Sequence, residues 1–234
     1  MTLYVATHPV VCHKMNALRD ATTSHSEFRN LLRELTFYLA YEASRNLNTA
    51  PSTVTTPMGQ QCTGAKISDN IAIIPILRAG LGMCESMLEL FPRASVHHIG
   101  MYRTKDSLIP VQYYNRLPRD QPCDVAYVVD PCIATSNTIH AVVNILKRWG
   151  AKKVVVIAAI GARTGVNRLM EQHPDVDVHI GAIDEVLSEQ GMILPGIGDA
   201  GDRQFGTHHD QEPNVLPSEP ISPPASNKRK RDAQ

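Results

Sequence analysis

The sequence predicts an α/β fold in which helices flank a mostly parallel β-sheet. Apolar runs of strand length alternate along the chain with segments whose apolar residues recur at helical spacing. Two of these runs, Asn70–Leu77 and Lys153–Ile160, are apolar almost throughout. Strands that are buried on both faces of a parallel sheet have this composition, because helices cover both faces. The alternation therefore indicates βαβ units.

The first predicted helix follows Ser24. Ser24 and Glu27 have the spacing of a capping box, in which each side chain bonds to a backbone N–H group of the first helical turn. Apolar residues then recur three or four positions apart, at Phe28, Leu31, Leu32, Leu35 and Leu39. This spacing places them on one face of a helix, which we expect to pack against the sheet.

The remaining elements follow from the same two periodicities. After the Asn70–Leu77 strand we predict, in order, a helix around 83–91, a short strand at 96–101, a strand at Val125–Val129, a helix from about Ile139 to Trp149, the Lys153–Ile160 strand, a helix around 166–173 and a strand at 176–184. Gly150 follows Lys147 and Arg148, a pattern typical of a helix C-terminus. Between Met101 and Asn115 the pattern instead predicts an extended β-arm.

The 234 residues suffice for one domain with an appendage. Composition changes after Thr207, because residues 208–234 contain five prolines and few aliphatic side chains. Such a segment cannot bury enough apolar surface to offset its ordering entropy. We therefore predict a domain at 1–207 and a disordered Pro-rich tail at 208–234. The basic cluster Lys228–Arg231 is a nuclear-import signal, a contact for an anionic surface or part of a solvated tail.

Charge and cysteine content narrow the class of protein. The formal net charge is zero and the pI about 7.1, which argues against nucleic acid as a partner of the domain. The five cysteines are scattered without a CxxC pair, as expected for reduced thiols in a cytoplasmic protein. No run reaches the length of a membrane span, and the N-terminal residues lack the pattern of a signal peptide.

A candidate phosphate-binding turn follows the Val125–Val129 strand. The strand ends at Asp130, and small and hydroxyl-bearing residues lead from there into a predicted helix. Backbone N–H groups at a helix start are unpaired and lie at the positive end of the helix dipole, so they bind phosphate. Asp130 is a suitable acceptor for sugar hydroxyls. The alternative is an acid that caps a turn before an ordinary helix.

Two arginines and a glycine-rich segment complete the candidate site. Arg78 follows the Asn70–Leu77 strand directly, and Arg103 lies on the predicted arm, at the end of the run GMYR; guanidinium groups match phosphate oxygens. Residues 191–202 contain four glycines, a proline and the acids Asp199 and Asp202, which predicts a long loop rather than an element. Its backbone N–H and C=O groups could form hydrogen bonds with the edge of a small planar ligand, and its acids could orient a hydrated Mg²⁺.

These residues resemble the uracil phosphoribosyltransferases, which are type I phosphoribosyltransferases. The similarity spans His8 to Thr207 and rests on PILRAGLGM at 75–83, GMYR at 100–103, VDP at 129–131 and PGIGDAGDRQFGT at 195–207. The resemblance implies that the chain joins uracil to phosphoribosyl pyrophosphate, with Mg²⁺, to give UMP and pyrophosphate in pyrimidine salvage. It also implies a homodimer or a higher homo-oligomer.

The resemblance assigns a role to each candidate residue. Arg78, Arg103 and Asp199 become catalytic, the two arginines as pyrophosphate contacts. Phosphoribosyl pyrophosphate would be bound by these three together with Asp130, Pro131, Cys132, Ile133, Ala134, Thr135, Ser136, Asn137 and Thr138. Uracil would be bound by Ile193, Gly198, Asp199 and Ala200, largely through main-chain groups. Mg²⁺ would be held through substrate and water, without direct protein ligands.

The chain departs from the family pattern at two places. Ser136 and Asn137 stand where the family usually has two glycines, and Met192 stands where it commonly has tyrosine. If the first two positions require φ > 0, asparagine tolerates it better than serine does. These departures leave an alternative open, in which the chain is a catalytically weak or inactive nucleotide-sensing protein on the same fold.

Overall fold

The computed structural model describes residues 2–103 and 110–207. Its helices are α1 (Pro9–Arg19), α2 (His25–Ala43), α3 (Leu81–Leu90), α4 (Asn137–Trp149), α5 (Arg163–Gln172) and α6 (Ala200–Phe205). Its strands are β1 (Leu3–Val5), β2 (Thr49–Thr55), β3 (Gln61–Ile67), β4 (Ile71–Leu77), β5 (Ser95–Val96), β6 (Ile99–Arg103), β7 (Pro110–Asn115), β8 (Val125–Val129), β9 (Cys132–Ile133), β10 (Lys153–Ala162), β11 (Asp177–Asp184), β12 (Val186–Leu187) and β13 (Ile193–Leu194).

The main sheet confirms the predicted fold class. Its strand order is β1-β11-β10-β8-β4-β6-β7, with short β5 and β9 beside β4 and β10. Every pairing in it is parallel except β6 with β7. Since parallel strands run in one direction, the carboxyl ends of β4, β8, β10 and β11 lie along one edge. That edge carries the candidate site.

Helices cover both faces of the sheet, so the core consists of two apolar layers. In β4, Ile71 and Ile73 pack with the layer that contains α1, α2 and α3, whereas Ile74 and Ile76 pack with the layer that contains α4 and α5. Successive side chains of a strand point to opposite faces, which explains why an uninterrupted apolar run is needed here.

The helix signals in the sequence match the observed ends. Ser24 caps α2, and its hydroxyl accepts a hydrogen bond from the Glu27 backbone N–H at 3.3 Å. Gly150 ends α4 in the left-handed conformation, with φ +99°. Helix α1 was not predicted from the sequence. Pro9 stands at its start after His8, whose ring accepts from Val10 N at 3.2 Å, so a proline cue was present.

Two hairpins lie at the periphery of the fold, one at the edge of the main sheet and one outside it. The predicted arm is formed by β6 and β7, which pair antiparallel, although its residues 104–109 lie outside the described residues. Strands β2 and β3 form a second antiparallel hairpin that was not predicted from the sequence. Nearly all of its residues are exposed, so it lacks the alternation of apolar and polar residues that identifies a half-buried strand.

The predicted tail at 208–234, with its basic cluster at 228–231, lies outside the described residues, and its disorder stays a prediction. Among the described residues, no helix combines the length and the apolar character that crossing a bilayer requires.

Candidate active site

A cavity of about 250 Å³ lies at the carboxyl edge of the sheet. One wall follows β8 and the other comes from the glycine-rich segment near the end of the domain. The lining residues are Ala79, Asp130, Cys132, Ala134, Met192, Ile193, Ile197, Gly198, Asp199, Ala200 and Gly201. Of the predicted sugar-phosphate residues near β8, Asp130, Cys132 and Ala134 line this cavity, whereas Pro131, Ile133 and the residues 135–138 do not, and neither does Arg78. All four predicted uracil residues, more than 50 positions further along the sequence, line it as well.

The phosphate-binding turn connects β8 to α4. Strand β8 ends at Val129, and α4 begins at Asn137, so the turn presents the N-terminus of a 13-residue helix. Thr135 Oγ1 and Ser136 Oγ are buried, and neither has a hydrogen-bond partner among the described residues. A buried hydroxyl without a partner is uncommon in folded proteins. Both groups are thus available to an anion in the turn.

Ser136 takes up the backbone strain of this turn. Its φ is +67°, the single positive value among the described residues other than glycine, whereas Asn137 already belongs to α4. A non-glycine residue in this conformation costs on the order of 1 kcal/mol. The less tolerant of the two substituted positions therefore carries the left-handed conformation.

Gly165 supports the same turn from behind, and the sequence analysis missed it. A Cβ atom at this position in α5 would lie 1.8 Å from the carbonyl oxygen of Ala134. A side chain of any size would displace either the helix or the turn. Nothing in the local sequence around Gly165 signals this, since the contact joins residues about 30 positions apart.

Arg78 lies directly after β4, as predicted, and contacts the last helix. Its Nη2 is 3.2 Å from Asp202 Oδ1, and its Nη1 donates to Thr207 Oγ1 at 3.4 Å. The Thr207 hydroxyl in turn donates to Asp202 Oδ1 at 2.5 Å. The arginine side chain is 51% exposed, so solvent and ligands can reach the guanidinium group.

Arg103 ends β6, the strand beside β4. Its side chain lies outside the part of the chain that the structure describes. That the two arginines act on one group therefore stays a prediction.

The glycine-rich segment is more regular than predicted. We expected a loop throughout 191–202, but β13 pairs with β12 and α6 begins at Ala200. The reason is a local cap: Asp199 accepts a hydrogen bond from the Asp202 backbone N–H at 2.9 Å, which starts the helix. Between these elements, Gly196 and Gly198 have positive φ.

Two further residues that the sequence analysis missed hold α6 in place. The Arg203 guanidinium group donates to Leu18 O at 2.6 Å and to Ile197 O at 2.9 Å, and it lies 4.4 Å from the centre of the Phe28 ring. Burial lowers the pKa of Arg203 from its usual value. Gln204 Nε2 donates to Ala79 O at 3.0 Å, which joins α6 to the turn after β4.

The oxygen donors at the cavity suit a hydrated Mg²⁺. Asp130 and Asp199 both border it, and Mg²⁺ in such sites is held by one or two carboxylates, waters and substrate phosphates. Within residues 2–103 and 110–207, no group of three His, Cys, Asp or Glu side chains is arranged to hold a metal ion directly.

Comparison with known proteins identifies the family. The family model described as uracil phosphoribosyltransferase matches residues 5–207. The chain belongs to the uracil phosphoribosyltransferase family. The proteins of that name from Dictyoglomus turgidum and Roseiflexus sp. (strain RS-1) are 47% and 45% identical to it over 203 residues, which cover 87% of this chain and 98% and 97% of theirs. As a member of this family, the chain is a pentosyl-transferring enzyme. Nothing in these comparisons favours the sensor alternative.

Solved structures agree with the fold of this family member. The AQ2163 protein of Aquifex aeolicus is 32% identical, with a TM-score of 0.84 over 89% of this chain and 100% of that one. An adenine phosphoribosyltransferase from Trypanosoma brucei, 12% identical, has a TM-score of 0.50 over 80% of this chain and 86% of that one, and supports the fold alone.

Proposed function

We propose that this enzyme transfers the phosphoribosyl group of phosphoribosyl pyrophosphate to N1 of uracil, giving UMP and pyrophosphate, as in pyrimidine salvage. The observation that carries the proposal is the shared cavity. Asp130 and Ala134 form one side of it, and Ile193, Gly198 and Asp199 form the other. A sugar phosphate bound at the first side and uracil bound at the second would place the ribose C1 next to uracil N1 within the cavity.

The 5′-phosphate binds in the turn between Ala134 and Thr138. The N-terminus of α4 supplies unpaired N–H groups and the positive end of the helix dipole. The buried hydroxyls of Thr135 and Ser136 donate hydrogen bonds that they cannot make within the described residues. Asp130, at the mouth of the turn, accepts from the ribose hydroxyls, and residues 131–133 complete the binding segment.

Uracil binds against Ile193 and the segment from Gly198 to Ala200. Ile193 is 8% exposed and offers an apolar surface to one face of the ring. The flanking peptide groups of the 198–200 segment offer N–H and C=O groups to its edge. Met192 also borders the cavity, where an aromatic hydroxyl-bearing residue is common in the family, so the pocket is less polar on that side.

The chemical step requires positioning and charge complementarity. The C1–O bond to pyrophosphate breaks ahead of full C1–N1 bonding to uracil, so positive charge develops on the ribose ring. Pyrophosphate leaves with the electron pair of the C1–O bond, and uracil N1 loses its proton to solvent as the new bond forms. Arg78 and Arg103 stabilise the departing pyrophosphate, and Asp130 and Asp199 lie beside the ring. Mg²⁺, when it is bound with the substrate, supplies further positive charge to the leaving group.

The enzyme acts as a homodimer or a higher homo-oligomer. Tyr102 and Tyr113 on the β6–β7 arm are 52% and 56% exposed, and Val54 and Ile67 on the β2–β3 hairpin are 56% and 47% exposed. Exposed apolar side chains on these two hairpins favour burial against another chain. Sedimentation velocity of the purified protein tests this, and a monomer at micromolar concentration would contradict it.

The decisive experiment measures whether the protein converts uracil to UMP. Purified protein is incubated with labelled uracil, phosphoribosyl pyrophosphate and Mg²⁺, and UMP is separated and counted. Omission of each component and the Asp130→Asn variant serve as controls. Absence of UMP at high enzyme concentration would overturn the proposal, and tight binding of UMP without turnover would favour the sensor alternative.

A further inference from the structure

The geometry points to Arg19 and Asp184 as a positioning pair that holds the uracil-binding loop through the peptide groups of Gly196. This inference rests on the proposed function, because it takes the loop 195–199 to contact uracil. Neither residue lines the cavity. Both residues act on the loop through the backbone of Gly196, and neither belongs to the four sequence motifs that carry the family resemblance.

The pair occupies both hydrogen-bonding groups of one loop residue. Asp184 Oδ2 accepts from the Gly196 backbone N–H at 2.8 Å. Arg19 Nη1 donates to the Gly196 carbonyl oxygen at 3.0 Å. A residue held at both its N–H and its C=O group cannot rotate without breaking at least one of these bonds. Gly196 is therefore fixed in orientation as well as in position.

The two side chains also hold each other. Arg19 Nη2 lies 2.6 Å from Asp184 Oδ1, and Nη1 lies 2.8 Å from Oδ2, so the contact is bidentate. Such parallel bonds are directional and about twice as strong as neutral hydrogen bonds. The Arg19 guanidinium group, with the Gly196 N–H, holds the pKa of the Asp184 carboxyl group below its usual value. Asp184 is 8% exposed, and burial alone would raise that pKa, so the two hydrogen-bond partners outweigh burial.

The Arg19–Asp184 pair connects a helix end and a strand end to a loop that has no regular backbone hydrogen bonds of its own. Arg19 is the last residue of α1, and Asp184 is the last residue of β11. The loop between β13 and α6 makes no regular backbone ladder, and its Gly196 has a φ of +67°. A Cβ atom on Gly196 would lie 2.1 Å from Ile193 O, so glycine is required at the point where the pair attaches.

Displacement of Gly196 would move one wall of the cavity and leave the other. Ile197 and Gly198, its immediate successors, line the cavity, as does Ile193. The phosphate turn is attached instead to β8, α4 and Gly165, and Arg78 to β4 and to Asp202 of α6. Loss of the pair is therefore expected to weaken uracil binding more than phosphoribosyl pyrophosphate binding, to which the loop contributes Asp199.

The test compares Asp184→Asn with the wild type in steady-state kinetics for both substrates. We expect the KM for uracil to rise on the order of tenfold, because small misplacements of binding groups have effects of this size. The KM for phosphoribosyl pyrophosphate should change less than twofold. Arg33→Lys is the matched control, since Arg33 makes an exposed ion pair with Glu89 on the surface and should leave both constants unchanged. An equal rise of both constants, or no rise, would overturn the inference.

Hydrogen–deuterium exchange of the unliganded protein gives a readout that does not depend on turnover. Peptides that cover 193–200 should exchange faster in Asp184→Asn, while those that cover 130–138 should not change. If Asp184→Asn does not fold, Arg19→Lys is measured instead. Lysine keeps the positive charge and loses the planar N–H donors that make the bidentate contact. Unchanged exchange at 193–200 would overturn the positioning role. A wild type that makes no UMP would overturn the proposed function, and the exchange would still decide whether the pair holds the loop.

Discussion

Arg78 and Asp202 form an ion pair at 3.2 Å that joins the end of β4 to α6. The two residues are 124 positions apart, and the Thr207 hydroxyl bonds to the same carboxylate oxygen. Asp202 thereby orients a guanidinium group that would otherwise be a freely rotating surface charge. Since exposed pairs contribute little to stability, about 0–1 kcal/mol, the contact serves orientation more than folding.

Replacement of Arg78 is expected to impair the reaction without unfolding the protein. Arg78→Ala should lower kcat/KM by roughly tenfold to a hundredfold, because a hydrogen bond to a charged group contributes about 1.5–3 kcal/mol. The thermal midpoint should change little, since the side chain is half exposed. Steady-state kinetics and thermal denaturation measure the two effects. An unchanged kcat/KM would remove Arg78 from the proposed site.

Replacement of Ser136 by glycine is expected to relieve the strain in the phosphate turn. Ser136→Gly should raise the free energy of unfolding, measured by denaturant titration, by up to about 1 kcal/mol, because the left-handed conformation costs that much for serine and little for glycine. The KM for phosphoribosyl pyrophosphate should rise, because glycine lacks the hydroxyl that donates to the 5′-phosphate. Asn137→Gly is the matched control. Asn137 is already helical, so glycine there should give no gain and should destabilise α4 slightly. Equal effects of the two substitutions would contradict this account.

A methyl group on Gly165 is expected to disturb the phosphate turn from behind. Gly165→Ala places a Cβ atom 1.8 Å from Ala134 O, so the turn must move. We expect the KM for phosphoribosyl pyrophosphate to rise at least about tenfold. Gly64→Ala is the control, because a Cβ atom there meets nothing within 4 Å. If both variants behave as the wild type, the turn does not depend on Gly165.

Stability is expected to rise with pH through the range in which histidines titrate. His173 is 3% exposed, and burial, with Lys147 and His140 nearby, lowers its pKa below the ordinary value of 6.5. The unfolded chain therefore binds more protons than the folded one between the lowered pKa and about 6.5, so stability increases with pH there and is lost on acidification. His97 and His179 shift in the same direction, also through burial.

The measurement is the thermal midpoint of the wild type and of His173→Asn between about pH 5 and 7. Asparagine keeps an acceptor near the position of Nδ1, which lies 3.1 Å from Lys147 Nζ, and it does not titrate. The variant should show a smaller rise with pH than the wild type, since His97 and His179 remain. An identical slope would show that His173 does not contribute to it.

Most of the secondary structure of the body, α1 excepted, could be predicted from local patterns. Strands β4, β8 and β10 are apolar almost throughout because both faces of a parallel sheet are covered, and α2 and α4 have apolar stripes and recognisable ends. The placement of Arg78 and Asp130 after strands followed from the same reasoning. The β2–β3 hairpin could not be predicted in this way, because its exposed side chains carry no periodic signal.

By itself the sequence determined the fold class, the strand ends that carry polar residues and the chemistry that those residues favour, because hydrophobic period and residue type are local properties. Only the tertiary structure decided which groups support them: Gly165 behind the turn, Arg203 on α6 and the Arg19–Asp184 pair on Gly196. These are contacts of side chains or bare Cα atoms with backbone groups distant in sequence, up to 185 positions apart. Such contacts leave no periodic trace, since they depend on which chain segments the folded sheet brings within hydrogen-bonding distance.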